Sequence, residues 1–137
     1  MPVKDIFKTK YGVKVVHIHV PVYNEGLLFT VCPPEQCKAL VKAYFNHDID
    51  IFEGEYGCTF NIKDPHDNNK LVRILWITDL RTRSYTSLAF LVHEVSHIAH
   101  LILNNKNIPC NIDTLEVVAY LEQYLFTEII KGYNTIK

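Results

Sequence analysis

The chain has 137 residues, 48% of them hydrophobic and 21% charged, with 14 basic and 15 acidic side chains giving a formal charge of −1. That is the size and balance of one globular domain, spanning residues 1–137, with apolar residues enough to bury a core. No basic footprint argues for nucleic acid, and no polybasic block argues for a membrane surface, so neither is expected as a partner.

The opening stretch, Met1 to Lys10, lacks the apolar core and small-residue cleavage site of a secretory signal. No run approaches the roughly 18 consecutive apolar residues of a membrane span, and a cytoplasmic location is the expectation. Cys32, Cys37, Cys58 and Cys110 form no C-x-x-C pair and read as reduced thiols, buried as small hydrophobes.

Tyr11 to Tyr23 is rich in β-branched residues and predicts a strand, with His17 and His19 on one of its faces. Asn24-Glu25-Gly26 is a turn signal, and Leu27 to Val31 a second strand, which together make a hairpin. Pro33-Pro34-Glu35 opens a helix whose apolar face is Cys37, Leu40, Val41, Tyr44 and Phe45, and Asn46-His47-Asp48 closes it. Gly54 to Ile62 predicts another strand, with Tyr56, Cys58, Phe60 and Ile62 on one side. The polar loop Lys63 to Lys70 follows, in which His66 and Asp67 are weak cation ligands and more ordinary turn residues. Leu71 to Ile77 is the strongest strand signal, taken here as an edge strand, with a central strand as the rival. Trp76 within it is either a substrate contact or a core aromatic.

Thr82 or Ser84 caps the next element, a long and largely buried helix over Thr86 to Leu103. Inside it stands the pentad His93-Glu94-Val95-Ser96-His97. Positions four apart share a helix face, so His93 and His97 point the same way and can reach one metal ion. Glu94 is turned about 100° from His93 and about 60° from His97, which suits a carboxylate that activates water at the metal. Imidazoles and a carboxylate are costly in so apolar a helix unless something pairs with them.

Asn104 to Pro109 stops that helix, and a final one runs from about Asp113 to Lys131, with Gly132 as its stop signal. A zinc that works on water takes three protein ligands. His100 is too far: seven residues from His93 is about 10 Å along the axis. A carboxylate on the last helix is the remaining source. Glu116, 19 residues after His97, is the leading candidate, although Asp113-Thr114-Leu115-Glu116 has capping-box spacing and Asp113 is a rival ligand. The layout is α+β: a small antiparallel or mixed sheet packed against two long C-terminal helices, plus one N-terminal helix.

The pentad followed by Glu116 on a second helix resembles the gluzincin type of zinc metallopeptidase. Leu91-Val92-His93-Glu94 with Glu116-Val117-Val118-Ala119-Tyr120-Leu121 is especially similar to small zincin-like proteins encoded by bacteriophages. The resemblance covers roughly residues 70–131. It implies a zincin-like fold and a Zn2+ held by His93, His97 and Glu116. It also implies Glu94 as general base and a peptide or protein as substrate. Better-known gluzincins have an aspartate four residues after the third ligand, where this chain has Tyr120. Tyr120 is then a residue that orients a ligand histidine through its hydroxyl, and with His100 and Tyr124 it is a candidate oxyanion stabiliser. The expected activity is zinc-dependent peptide hydrolysis. The other possibility is a non-catalytic phage or host-interaction protein stapled by zinc.

Overall fold

A computed structural model describes residues 15–51, 56–66, 68–81 and 83–136. The expectations placed on Tyr11 to Lys14, Gly54, Glu55, Asp67 and Thr82 lie outside them. The described residues form a mixed α+β structure with a four-stranded mixed sheet and three α-helices. In chain order these are β1 (Val15–Val20), β2 (Glu25–Val31), α1 (Pro34–Phe45), β3 (Gly57–Asp64), β4 (Lys70–Ile77), α2 (Tyr85–Asn105) and α3 (Leu115–Ile136).

The sheet order is β1-β2-β4-β3. β1 and β2 are the expected antiparallel hairpin, turned through Pro21–Tyr23 and an Asn24 in the left-handed region at φ 49°. β2 and β4 are parallel, β4 and β3 antiparallel. β4 is therefore central and not an edge. Its run Ile74, Leu75, Trp76 and Ile77 is buried on both faces, which is what an interior strand's unbroken apolar sequence means. Trp76 is a core residue: it is fully buried and its Nε1 donates to the Cys32 carbonyl at 2.9 Å.

Alternation along the strands sends side chains to two cores. Leu28, Ile62, Ile74 and Trp76 meet α1, which buries the face expected of it: Cys37, Leu40, Val41, Tyr44 and Phe45. Asn46 ends α1 at φ 53° and donates its N–H to the Lys42 carbonyl. Leu27, Phe29, Leu75 and Ile77 meet α2 and α3 on the other side. Tyr56, expected beside Cys58, Phe60 and Ile62, belongs instead to this second core, because the strand begins only at Gly57. Near one end of α2, Arg73 of β4 pairs with Glu25 of β2 at 2.6 Å, both largely buried, and Asn105 and Lys106 also reach Glu25.

By length and mean hydropathy α2 is the one described helix able to cross a membrane, and 44% of its most apolar stretch is buried within the fold. It is buried on one face, and less extensively than the largely buried helix that the sequence implied. Ser87, Leu91, Glu94, Val95, Ile98, Ala99, Ile102 and Leu103 face inward, while Phe90, Val92, His93, His97, His100 and Leu101 are exposed.

The last helix differs from expectation at both ends. Its start is built by a 3₁₀ turn over Ile112–Thr114, capped by Asn111, whose side chain accepts from the Asp113 N–H while Thr114 Oγ1 accepts from the Asn111 N–H. Asp113 is not the cap, and Glu116 has no part in the box. At the far end α3 runs through Gly132 to Ile136. Gly132 is a close approach and not a stop: a Cβ there would fall 2.4 Å from Val16 Cγ1 of β1. Gly132→Ala should therefore cost about 1–3 kcal/mol of overpacking, outweighing the roughly 1 kcal/mol gained in helix propensity. A lower urea midpoint, largely restored by adding Val16→Ala, is the expected result; a helix-stop glycine would give a higher midpoint.

Candidate functional site

α2 begins where Ser84 accepts the Ser87 N–H at 3.3 Å, so Ser84 is the cap. Two turns on, the helix presents the pentad at the rim between itself and edge strand β3. His93 and His97 stand together on the exposed side, with Nε2 atoms 3.1 Å apart and ring planes 79° apart. Two nitrogens bound at about 2.0–2.1 Å to one tetrahedral ion would be separated by about 3.3 Å, so the spacing of the pair matches that of two ligands on one zinc.

Glu94 points the other way. It is only 9% exposed, and its Oε2 accepts a hydrogen bond from Thr59 Oγ1 of β3 at 3.0 Å. Thr59 escaped the sequence reading, although its register offers the signal: it is a polar residue on the face of β3 opposite Cys58, Phe60 and Ile62. The carboxylate thus faces β3 and away from the histidine pair, and Thr59 on that strand holds it there.

A cleft of about 800 Å³ opens at this point, lined by Tyr56, Gly57, Tyr85, Thr86, Ala89, Phe90, His93 and Glu94. The wall at its β3 side is ordered. Tyr56 stacks on Phe90 with centroids 4.4 Å apart and planes 19° apart, and its hydroxyl bonds the Asp79 carbonyl and Ser87 Oγ.

The other sequence candidates fall outside this rim. Glu116 is exposed in the first turn of α3 and, among the described residues, has no hydrogen bond or ion pair. Among the described residues no three His, Cys, Asp or Glu side chains stand close enough to hold one ion, so the structure joins His93 to His97 but does not bring Glu116 or Asp113 to them. Tyr120 is 68% exposed on α3. Tyr124 is engaged elsewhere, its hydroxyl donating to the His19 carbonyl at 2.9 Å. His100 Nδ1 bonds the Ser96 carbonyl of its own helix at 2.7 Å. His17 and His19 lie on the exposed face of β1. His66 is a turn residue: its N–H donates to Asp64 Oδ1 and its ring packs on Tyr44.

None of the four cysteines is in a disulfide; Cys32 and Cys37 are buried, Cys58 half-buried, and Cys110, against expectation, exposed. A hydrogen bond with Cys32, reinforced by burial, pushes the Cys37 thiol far above the ordinary thiol range, so it stays protonated and inert.

Searches against protein-family models, curated proteins and solved structures find no match to this chain. The rim itself makes a prediction. Thr59→Val removes the donor to a buried carboxylate and should cost about 1.5–3 kcal/mol, whereas Thr59→Ser should keep most of it. Urea denaturation of the three proteins measures the difference; equal stability of wild type and Thr59→Val would mean that the bond carries no weight.

Proposed function

We propose that the chain is a zinc-dependent hydrolase of the zincin-like type, acting on peptide bonds. The single observation that carries this reading is the division of the pentad: two imidazole nitrogens 3.1 Å apart at the surface, and a carboxylate turned to β3 and held by Thr59, with His93 and Glu94 both lining one cleft. The donor set fits a borderline-soft ion that takes nitrogen and oxygen ligands. His93 and His97 would hold it, with Glu116 as third ligand. Two facts favour Glu116: the cap that competed for it is formed by Asn111 and Thr114, and it has no other partner among the described residues.

Bound zinc supplies Lewis acidity, lowering the pKa of water to about 7 and polarising a carbonyl. The protein's own part is done by Glu94. Thr59 occupies Oε2, which leaves Oε1 to take the proton of the attacking water and return it to the leaving amine. Tyr120 is exposed on α3 and is the proposed contact to substrate, since Tyr124 and His100 already have partners. The peptide would be held by β3. Thr78 N–H donates to the Tyr56 carbonyl, so with the Gly57–Ile77 register the odd residues of β3 turn their backbone groups away from β4. Among the described residues that outer edge has no strand beside it, and Thr59 on it already touches Glu94.

Metal analysis tests the ligand set. Glu116→Ala should lose most of its zinc, and a folded variant with one full equivalent would remove Glu116 from the site. Glu94→Gln should keep zinc and lose hydrolysis; loss of zinc would mean that the carboxylate roles are exchanged. Spectroscopy of the bound metal should show an open coordination position, because a structural staple would be closed by four protein ligands.

The edge is tested separately. Asn61→Pro removes an outward N–H without touching the β4 ladder and should weaken peptide binding at nearly unchanged zinc content and melting temperature. Unchanged peptide affinity would exclude pairing at this edge.

A further inference from the structure

We infer that the cleft beside the pentad is a subsite for one aromatic side chain of the substrate, lying over Ala89. This rests on the hydrolase reading for its meaning, and on the cleft alone for its chemistry. Tyr85, Ala89 and His93 follow one another at four-residue spacing along α2, and Thr86, Phe90 and Glu94 form the adjacent row. The cleft therefore runs along the helix for about 12 Å, ending at the groups proposed to break the bond.

Ala89, exposed and bearing a single methyl, leaves the floor open between Tyr85 and His93. Gly57 keeps the facing wall equally low, and it must stay glycine because a Cβ would fall 2.7 Å from the Trp76 carbonyl. The stacked pair Tyr56 and Phe90 makes one side, pinned through the Tyr56 hydroxyl before any ligand arrives. Tyr85, 92% exposed, stands at the open end.

Such a slot selects by ring. It offers aromatic side chains on two sides, and an aromatic ring gains offset or edge-on contacts there beyond its buried area. The Tyr56–Phe90 wall is already held in place, so little of its side-chain freedom is lost on binding. A charged side chain gains nothing comparable. Glu94 is the one formal charge in the lining, it lies at the far end, and Thr59 already bonds it.

The test uses full-length, 15N-labelled protein with Glu94→Gln, which prevents turnover. It is titrated with Ac-Ala-Ala-Phe-Ala-Ala-NH2 and with Ac-Ala-Ala-Ala-Ala-Ala-NH2. The phenylalanine peptide should bind about ten-fold tighter or better and shift the amides of Gly57, Ala89 and Phe90. Ala89→Leu, which fills the floor, and Phe90→Ala, which removes a wall, should each abolish that preference. Equal affinities, shifts elsewhere, or a preference that survives both variants would overturn the inference. Incubation of the protein without Glu94→Gln with the same peptides, read by mass spectrometry, separates the two claims. Binding in the cleft without cleavage supports the subsite and counts against the hydrolase. Cleavage indifferent to phenylalanine and to Ala89→Leu overturns the subsite and leaves the hydrolase standing.

Discussion

The rotation of α2 about its own axis is the constraint on which the site depends. Leu91, Val95, Ile98 and Ile102 are buried almost completely against the sheet and α3. Each such side chain is worth about 1.5–3 kcal/mol in removal from water, so together they permit one rotational setting of the helix. In that setting His93 and His97 must emerge at the surface, and Glu94, one residue on, must turn toward β3. A helix rotated so that each residue took its successor's place would bury the imidazoles and expose Leu91, Ala99 and Leu103. The chemistry of the pentad is thus decided by its apolar neighbours as much as by its own letters.

Position along the axis is settled at the two ends. Ser84 stops the helix from beginning earlier, and near its other end Asn105 and Lys106 reach the Glu25 that pairs with Arg73. Arg73 and Glu25 sit on the two central strands, so this polar group ties α2 to the middle of the sheet. Removing Glu25 would leave the Arg73 guanidinium buried without its counter-charge, at a cost of about 3–5 kcal/mol. Between the cap and this tie, Glu94 arrives opposite Thr59 and not a turn away from it.

Much of this was legible in the letters. The apolar face of α1 is periodic and came out residue for residue, because one side of that helix meets sheet and the other meets solvent. The hairpin was readable from its β-branched runs and the Asn24-Glu25-Gly26 turn signal, and the pentad helix from an apolar stretch without proline or glycine. What escaped was set by contacts between distant segments. Leu71 to Ile77 carries the same apolar run whether a neighbour lies on one side or both, so its central place could not be weighed from its own sequence. Gly132 looks like a stop only until Val16, over a hundred residues earlier, is found against it. Asp113 and Glu116 match a capping box on paper, but a 3₁₀ turn shifts the start so that Asn111 and Thr114 fill those places. Thr59 and Tyr56 matter only because β3 lies beside α2.

The site is consequently assembled from unequal parts. The histidine pair is local to one helix and needs nothing beyond the four-residue repeat. The carboxylate needs two elements, since Thr59 on the edge strand holds it. In the proposed arrangement the third ligand comes from α3, whose exposed first turn follows an ordered cap and whose body is anchored by Leu121, Leu125 and Ile129 in the core. Metal binding would then draw the start of α3 toward α2, and the free energy of coordination would be shared with the packing of the two helices. Such a site is rigid where proton transfer is proposed, at Glu94 and Thr59. It is adjustable where the ion is proposed to be completed, at Glu116.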